Sequence, residues 1–335
     1  MNQRHRMPSP RCMQRLLLGL LLSLASVVTA AELPGRHVDI GTHRLYIDCR
    51  GQGSPTVIID AGMGGFSLEW RHVQTRLAKQ VRVCSYDRAG YGHSDSGPLP
   101  RTSARIANEL HQLLTKADVA GPYLMVGHSF GGYNIRHFAH DYPQDTMGLV
   151  LVDASHPAQF ERFPRKNLPA AFLDDNQSQR LVTRPVMPAN YPTDLRRKAF
   201  VQMARFKARR AQGNEFRHFM TSAKQVRQLE LPDVPILVLS RGRQAWPKTP
   251  YGDRMERIWA DLQTELGNLS DHTLHLIAAN SGHSIHFDQP EAVSSAILLT
   301  ATAAKSNWYN WEYIKDNNSG LIAPILNQSV RVAGR

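Results

Sequence analysis

The sequence predicts an α/β protein, and three observations carry the prediction. The apolar run at 123–126 leads directly into Gly127-His128-Ser129-Phe130-Gly131-Gly132 and then into a helix-like stretch at 133–142, a strand, a tight turn and a helix. Further short apolar runs at 148–152, 236–239 and 274–278 have the length of buried strands and end in polar loops. The third observation is size: without its N-terminal segment the chain keeps about 305 residues, which suits one α/β domain with an insertion.

Taken from the N-terminus, residues 1–30 carry Arg4, Arg6, Arg11 and Arg15 with no acid, then an apolar stretch at 16–28 that ends in Val28-Thr29-Ala30. That layout predicts a secretory signal peptide cut near Ala30 and a periplasmic or secreted product. The rival is a retained anchor, which the stretch is too short to form, since a spanning helix needs ~20 residues. Two glycine-containing blocks follow, Ile59-Asp60-Ala61-Gly62-Met63-Gly64-Gly65 and Asp87-Arg88-Ala89-Gly90-Tyr91-Gly92-His93-Ser94. Next comes the Ser129 turn, whose G-x-S-x-G pattern between strand and helix makes a nucleophile elbow: small flanking residues let the backbone turn sharply enough to project the hydroxyl.

A serine hydroxyl is a weak nucleophile until a base takes its proton. Ser281-Gly282-His283-Ser284 follows the last apolar run, where a loop can return an imidazole to Ser129, so His283 is the candidate base, with His286, His275 and His272 as competitors. The acid is harder to place. The loop after the 236–239 run reads Ser240-Arg241-Gly242-Arg243-Gln244 and holds no carboxylate, whereas the 148–152 run ends directly in Asp153. Asp153 is the candidate orienting acid, its alternative role is capping the helix that follows, and Asp253 and Asp261 are the fallback acids.

In their order and spacing, these blocks resemble the serine hydrolases of the α/β-hydrolase superfamily (esterase- and lipase-like) over about residues 37–304. The resemblance implies a mostly parallel central sheet flanked by helices, with a helical lid inserted after the sixth strand. On that basis residues 31–154 and 231–304 form the core, 155–230 the lid, and 305–335 an extension without a family counterpart. It further implies an oxyanion hole made by the backbone N–H groups of Met63 and Phe130. Asp87 is implied to be structural, because the family's order is serine, acid, histidine. An acid at the end of the sixth strand is similar to its placement in haloalkane dehalogenases, but a serine nucleophile disfavours carbon–halogen and epoxide displacement. Cys49 and Cys84 are implied to lie on neighbouring strands of an exported protein, either as a disulfide or as two buried thiols.

The chain carries a formal net charge of +12. Segment 155–230 holds 15 Lys/Arg against 6 Asp/Glu, so it carries most of that excess. Arg196, Arg197, Lys198, Lys207, Arg209 and Arg210 could be a solvated helix face, or could attract an anionic substrate or membrane surface. Phe200, Phe206, Phe216 and Phe219 on the same segment predict an apolar underside. In the tail, Trp308, Tyr309, Trp311 and Tyr313 either pack on the body or bind a partner. There is no repeat, metal-ligand spacing or phosphate-cradling loop, no cofactor is called for, and nucleic acid fits an exported hydrolase poorly. The expected function is hydrolysis of an ester or related acyl bond of a small molecule by Ser129, His283 and Asp153. Thioester, amide and carbon–carbon cleavage or acyl transfer would use the same groups, and a non-catalytic binding protein of this fold is the alternative of another class.

Overall fold

The protein is described from a computed structural model that covers residues 34–164, 187–306 and 309–326. The expected signal segment lies outside the described residues, and among those residues no helix is long and apolar enough to cross a membrane.

Eight strands form one sheet: β1 Arg36–Asp39, β2 Arg44–Arg50, β3 Thr56–Asp60, β4 Arg82–Asp87, β5 Tyr123–His128, β6 Thr146–Val152, β7 Ile236–Arg241 and β8 Thr273–Ala278, in the spatial order β1-β2-β4-β3-β5-β6-β7-β8. Strand β2 runs antiparallel to β1 and β4, and all other pairs are parallel. The central strands read as continuous apolar runs because helices cover both faces, as parallel sheets require. Alternation along each strand then divides the core. Val57, Ile59, Leu124, Val126, Val150 and Val152 face helices α1 (Arg71–Leu77) and α10 (Pro290–Ser306), whereas Ile58, Met125, Leu149 and Leu151 face α2 (Ser103–Lys116) and α3 (Gly131–Asp141). Cys49 and Cys84 oppose each other in the β2–β4 register and are joined by a disulfide, S–S 2.05 Å.

Between β6 and β7 lie α4 (Gln159–Arg162), α5 (Thr193–Met203), α6 (Phe206–Arg217) and α7 (Phe219–Arg227). Helices α5 and α6 are separate because Arg205, at the start of α6, adopts an extended backbone. This break lets α6 turn Asn214 and Glu215 inward, where they meet Arg101 and Arg88. Phe216 and Phe219 line a cavity as an apolar underside should, but Phe200 and Phe206 are 49 % and 75 % exposed and face solvent. Beyond β7 come α8 (Pro250–Leu266) and α9 (Ile285–Asp288). The described part of the tail packs on the body. Its helices α11 (Trp311–Asn317) and α12 (Ser319–Leu326) bury Trp311, Ile314, Ile322 and Ile325 in the α10 side of the core, and the Trp311 indole donates to the His272 carbonyl at 3.0 Å.

Candidate active site

The parallel strands deliver their C-terminal ends to one edge of the sheet, where α/β proteins place their sites. Ser129 follows β5 there with φ +50°, a left-handed conformation held by its surroundings. Its N–H donates to Val152 O at 3.2 Å, and its carbonyl accepts from Gly132 N at 3.0 Å and Ser155 N at 2.9 Å. Gly127 is needed for the close approach of strand and helix, since a Cβ there would lie 2.6 Å from the Gly131 carbonyl oxygen.

Asp153 follows β6 and also has positive φ, +39°. Its carboxylate is fully buried and accepts four bonds: His283 Nδ1 at 2.5 Å and Arg241 Nη1 at 2.7 Å on Oδ2, and Trp259 Nε1 at 2.9 Å and Arg241 N–H at 3.2 Å on Oδ1. Burial opposes ionisation, but the Arg241 guanidinium and then the bonds from His283 and Trp259 hold the pKa well below the usual carboxylate range. An ionised acceptor at Nδ1 assigns that nitrogen the proton and leaves Nε2 as the basic lone pair. His283 and Ser129 line the same cavity. The loop carrying His283 is fixed by Gly282 N–H on Asp288 Oδ2 at 2.8 Å and by His128 Nε2, 2.9 Å from the His283 carbonyl oxygen. Burial, helped by His283, lowers the His128 pKa to about 3, so its ring is neutral and donates that bond.

The competing residues are engaged elsewhere. His286 is buried and stacked on Trp70, His275 meets Ser240 at 2.7 Å, and His272 pairs with Asp233. Asp253 accepts from Gln244 at 2.9 Å, and Asp261 is exposed on α8. Asp87 is occupied by the backbone N–H groups of Ser67 and His93 at 2.8 and 2.7 Å and so braces the loops below the site.

The backbone N–H groups of Met63 and Phe130 donate to no acceptor among the described residues. The loop carrying Met63 is clamped by Arg88, whose guanidinium donates to the carbonyls of Ala61 at 2.6 Å and Gly62 at 2.9 Å while pairing with Asp60 at 2.9 Å and Glu215 at 2.8 Å. Tyr91 adds a bond to Glu215 at 2.8 Å. Sequence reasoning missed this clamp and the Arg241–Asp153 pair. The only visible clue to the second was an arginine at the end of β7, where a carboxylate was sought.

Ser129 opens onto a cavity of about 560 Å³ whose walls are mostly aromatic. Among the described residues no group of three or more His, Cys, Asp and Glu is placed to hold a metal ion.

The profile of the alpha/beta hydrolase family matches residues 57–296, which covers all the groups described above. The chain belongs to that family. It is 29 % identical over 255 residues to "Uncharacterized protein YqjL" of Bacillus subtilis, covering 76 % of this chain and 87 % of that one. It is also 29 % identical over 306 residues to "Probable transporter efuK" of Hormonema carpetanum, but there the match spans 78 % of this chain and only 42 % of the relative's length. Among solved structures, Cfl2 from Burkholderia cenocepacia superposes with a TM-score of 0.60 at 21 % identity, covering 78 % of this chain and 92 % of that one, a likeness of fold. The family match supports a hydrolase.

Proposed function

We propose that this alpha/beta hydrolase is an exported serine esterase that cleaves its substrate through an acyl-enzyme. The observation that carries the reading is the convergence on one cavity of Ser129, at the tip of a strained turn, and His283, whose Nδ1 meets the buried Asp153 at 2.5 Å. The Ser129 hydroxyl attacks the ester carbonyl carbon as His283 Nε2 takes its proton. The oxygen of the tetrahedral intermediate receives hydrogen bonds from the N–H groups of Met63 and Phe130, donors aimed at charge that appears only in the transition state. Collapse expels the alkoxide, which takes the proton from His283. Water then repeats the sequence on the acyl-serine, while Asp153 stays ionised and stabilises the imidazolium. Export rests on the charged-then-apolar N-terminus, and the Cys49–Cys84 disulfide fits an oxidising compartment.

The test is labelling by a fluorophosphonate, which reacts with activated serines, run beside hydrolysis of neutral esters. Wild type should label and turn over, whereas Ser129→Ala should do neither and keep the same melting temperature. A wild-type protein that neither labels nor hydrolyses would leave the fold as a binding scaffold.

A further inference from the structure

The cavity wall has an order that its composition alone does not convey. Starting on α7, the Phe219 ring meets Phe160 edge to face, with centroids 4.9 Å apart and planes at 84°. Phe160 meets Phe163 at 6.0 Å and 82°, Phe163 meets Trp246 at 5.7 Å and 74°, and Trp246 meets Trp259 at 6.0 Å and 65°. The arc ends on the catalytic candidate itself, with Trp259 set 5.9 Å and 83° from the His283 ring. All six side chains line the cavity that holds Ser129. They come from four separate stretches of chain, so the arc exists only in the folded protein.

We propose that this arc receives an aromatic ring of the substrate, so that the preferred ester is neutral and carries an arene one or two bonds from the scissile group. The proposal deepens the serine-esterase reading and rests on it. An arene carries a negative face and a positive edge, and rings that alternate in edge-to-face contact offer both complements within the 4.5–7 Å range over which ring pairs attract. A saturated ring of similar size gains only from burial. Charge argues for neutrality. The ionisable side chains of the described cavity wall are Arg241, Tyr251 and His283. Of these the Arg241 cation is compensated by Asp153 at 2.7 Å and Glu256 at 3.0 Å, and it is covered by the Trp246 and Trp259 rings at 4.7 and 4.8 Å. Among the described residues of that wall, then, no unpaired cation awaits a carboxylate.

The experiment compares matched ester pairs in which one methylene insulates the ring from the carbonyl or alcohol oxygen, which keeps intrinsic reactivity similar. Hydrolysis of methyl phenylacetate is measured against methyl cyclohexylacetate, and benzyl acetate against cyclohexylmethyl acetate, by titrating released acid. The expected result is a kcat/KM preference for the arene of roughly two- to tenfold in at least one pair, the range of a single ring–ring contact. Phe160→Leu and, independently, Phe163→Leu should bring that ratio toward one. Equal kcat/KM within both pairs, or a preference for the saturated rings, overturns the proposal. Tryptophan fluorescence of Ser129→Ala, titrated with benzyl phenylacetate and its fully saturated analogue, reads selectivity without turnover. Arene-selective binding with no ester hydrolysis by wild type would sink the esterase reading and keep the aromatic site, whereas hydrolysis without arene selectivity would do the reverse.

Discussion

Replacing Arg241 with methionine isolates what the buried ion pair does for the candidate triad. In the native protein Asp153 Oδ2 is shared by His283 Nδ1 at 2.5 Å and Arg241 Nη1 at 2.7 Å, and the acid is fully buried. Methionine keeps much of the apolar stem between Trp246 and Trp259 and removes the positive charge. Loss of an adjacent opposite charge raises a carboxylate pKa by about 1–3 units, and Arg241 is the charge that most lowers that of Asp153. The observable is the acid limb of kcat/KM against pH, which should move upward as Asp153 becomes easier to protonate. Arg241→Lys should fall between the two. Stability gives an independent reading. The folded pKa of Asp153 is depressed, so its contribution is fully present above the ordinary aspartate value near 3.9 and is lost as pH falls through the lower folded value. The gap in urea midpoint between wild type and Arg241→Met should therefore be widest at neutral pH, where removing one partner of a buried pair costs about 3–5 kcal/mol, and should narrow in acid. An unmoved acid limb in a folded Arg241→Met protein would refute the claim that Arg241 keeps Asp153 ionised.

Three further outcomes are expected. Asp153→Asn should lower kcat by about four orders of magnitude through loss of the productive His283 tautomer, and survival of activity there but not in Asp253→Asn or Asp261→Asn would remove Asp153 from the mechanism. Glu69 is buried beside the Gly62–Gly65 loop, and burial pushes its pKa up to about 8. Since the folded protein holds a proton that the unfolded chain releases near 4.5, stability should decline from about pH 4.5 to about pH 8, and Glu69→Gln should remove that slope in urea unfolding measured across the range. Finally, we propose that the basic segment with its exposed Phe200, Val201 and Phe206 contacts anionic membrane surfaces. Co-sedimentation with phosphatidylglycerol vesicles should weaken as salt rises and on neutralising Arg196, Arg197, Lys198, Arg209 and Arg210, and binding that ignores both would rule charge out.

How much of this was legible in the sequence follows from the range over which each feature is encoded. The elbow was readable because a strand, a turn that admits positive φ and a helix are written in consecutive residues, and His283 and Asp153 because each directly follows an apolar run that must be a strand. Strand identity was equally local, since burial on both faces demands unbroken apolar runs in β5, β6 and β7. Other features needed the fold. Whether Trp311 packs inward depends on α10 and the His272 carbonyl, which lie elsewhere in the chain. The break at Arg205 has no proline or glycine to announce it, and the partners that hold α6 beyond it, Arg88 on Glu215 and Arg101 on Asn214, lie elsewhere in the chain. The arginine at the end of β7 reads as a missing acid until β6 and β7 are paired in register, and only then does its charge fall on Asp153. The aromatic arc is the extreme case. Ring-to-ring geometry depends on four stretches meeting in space, and no periodicity along the chain records it, so local sequence determined which groups could react and tertiary packing decided what surrounds them.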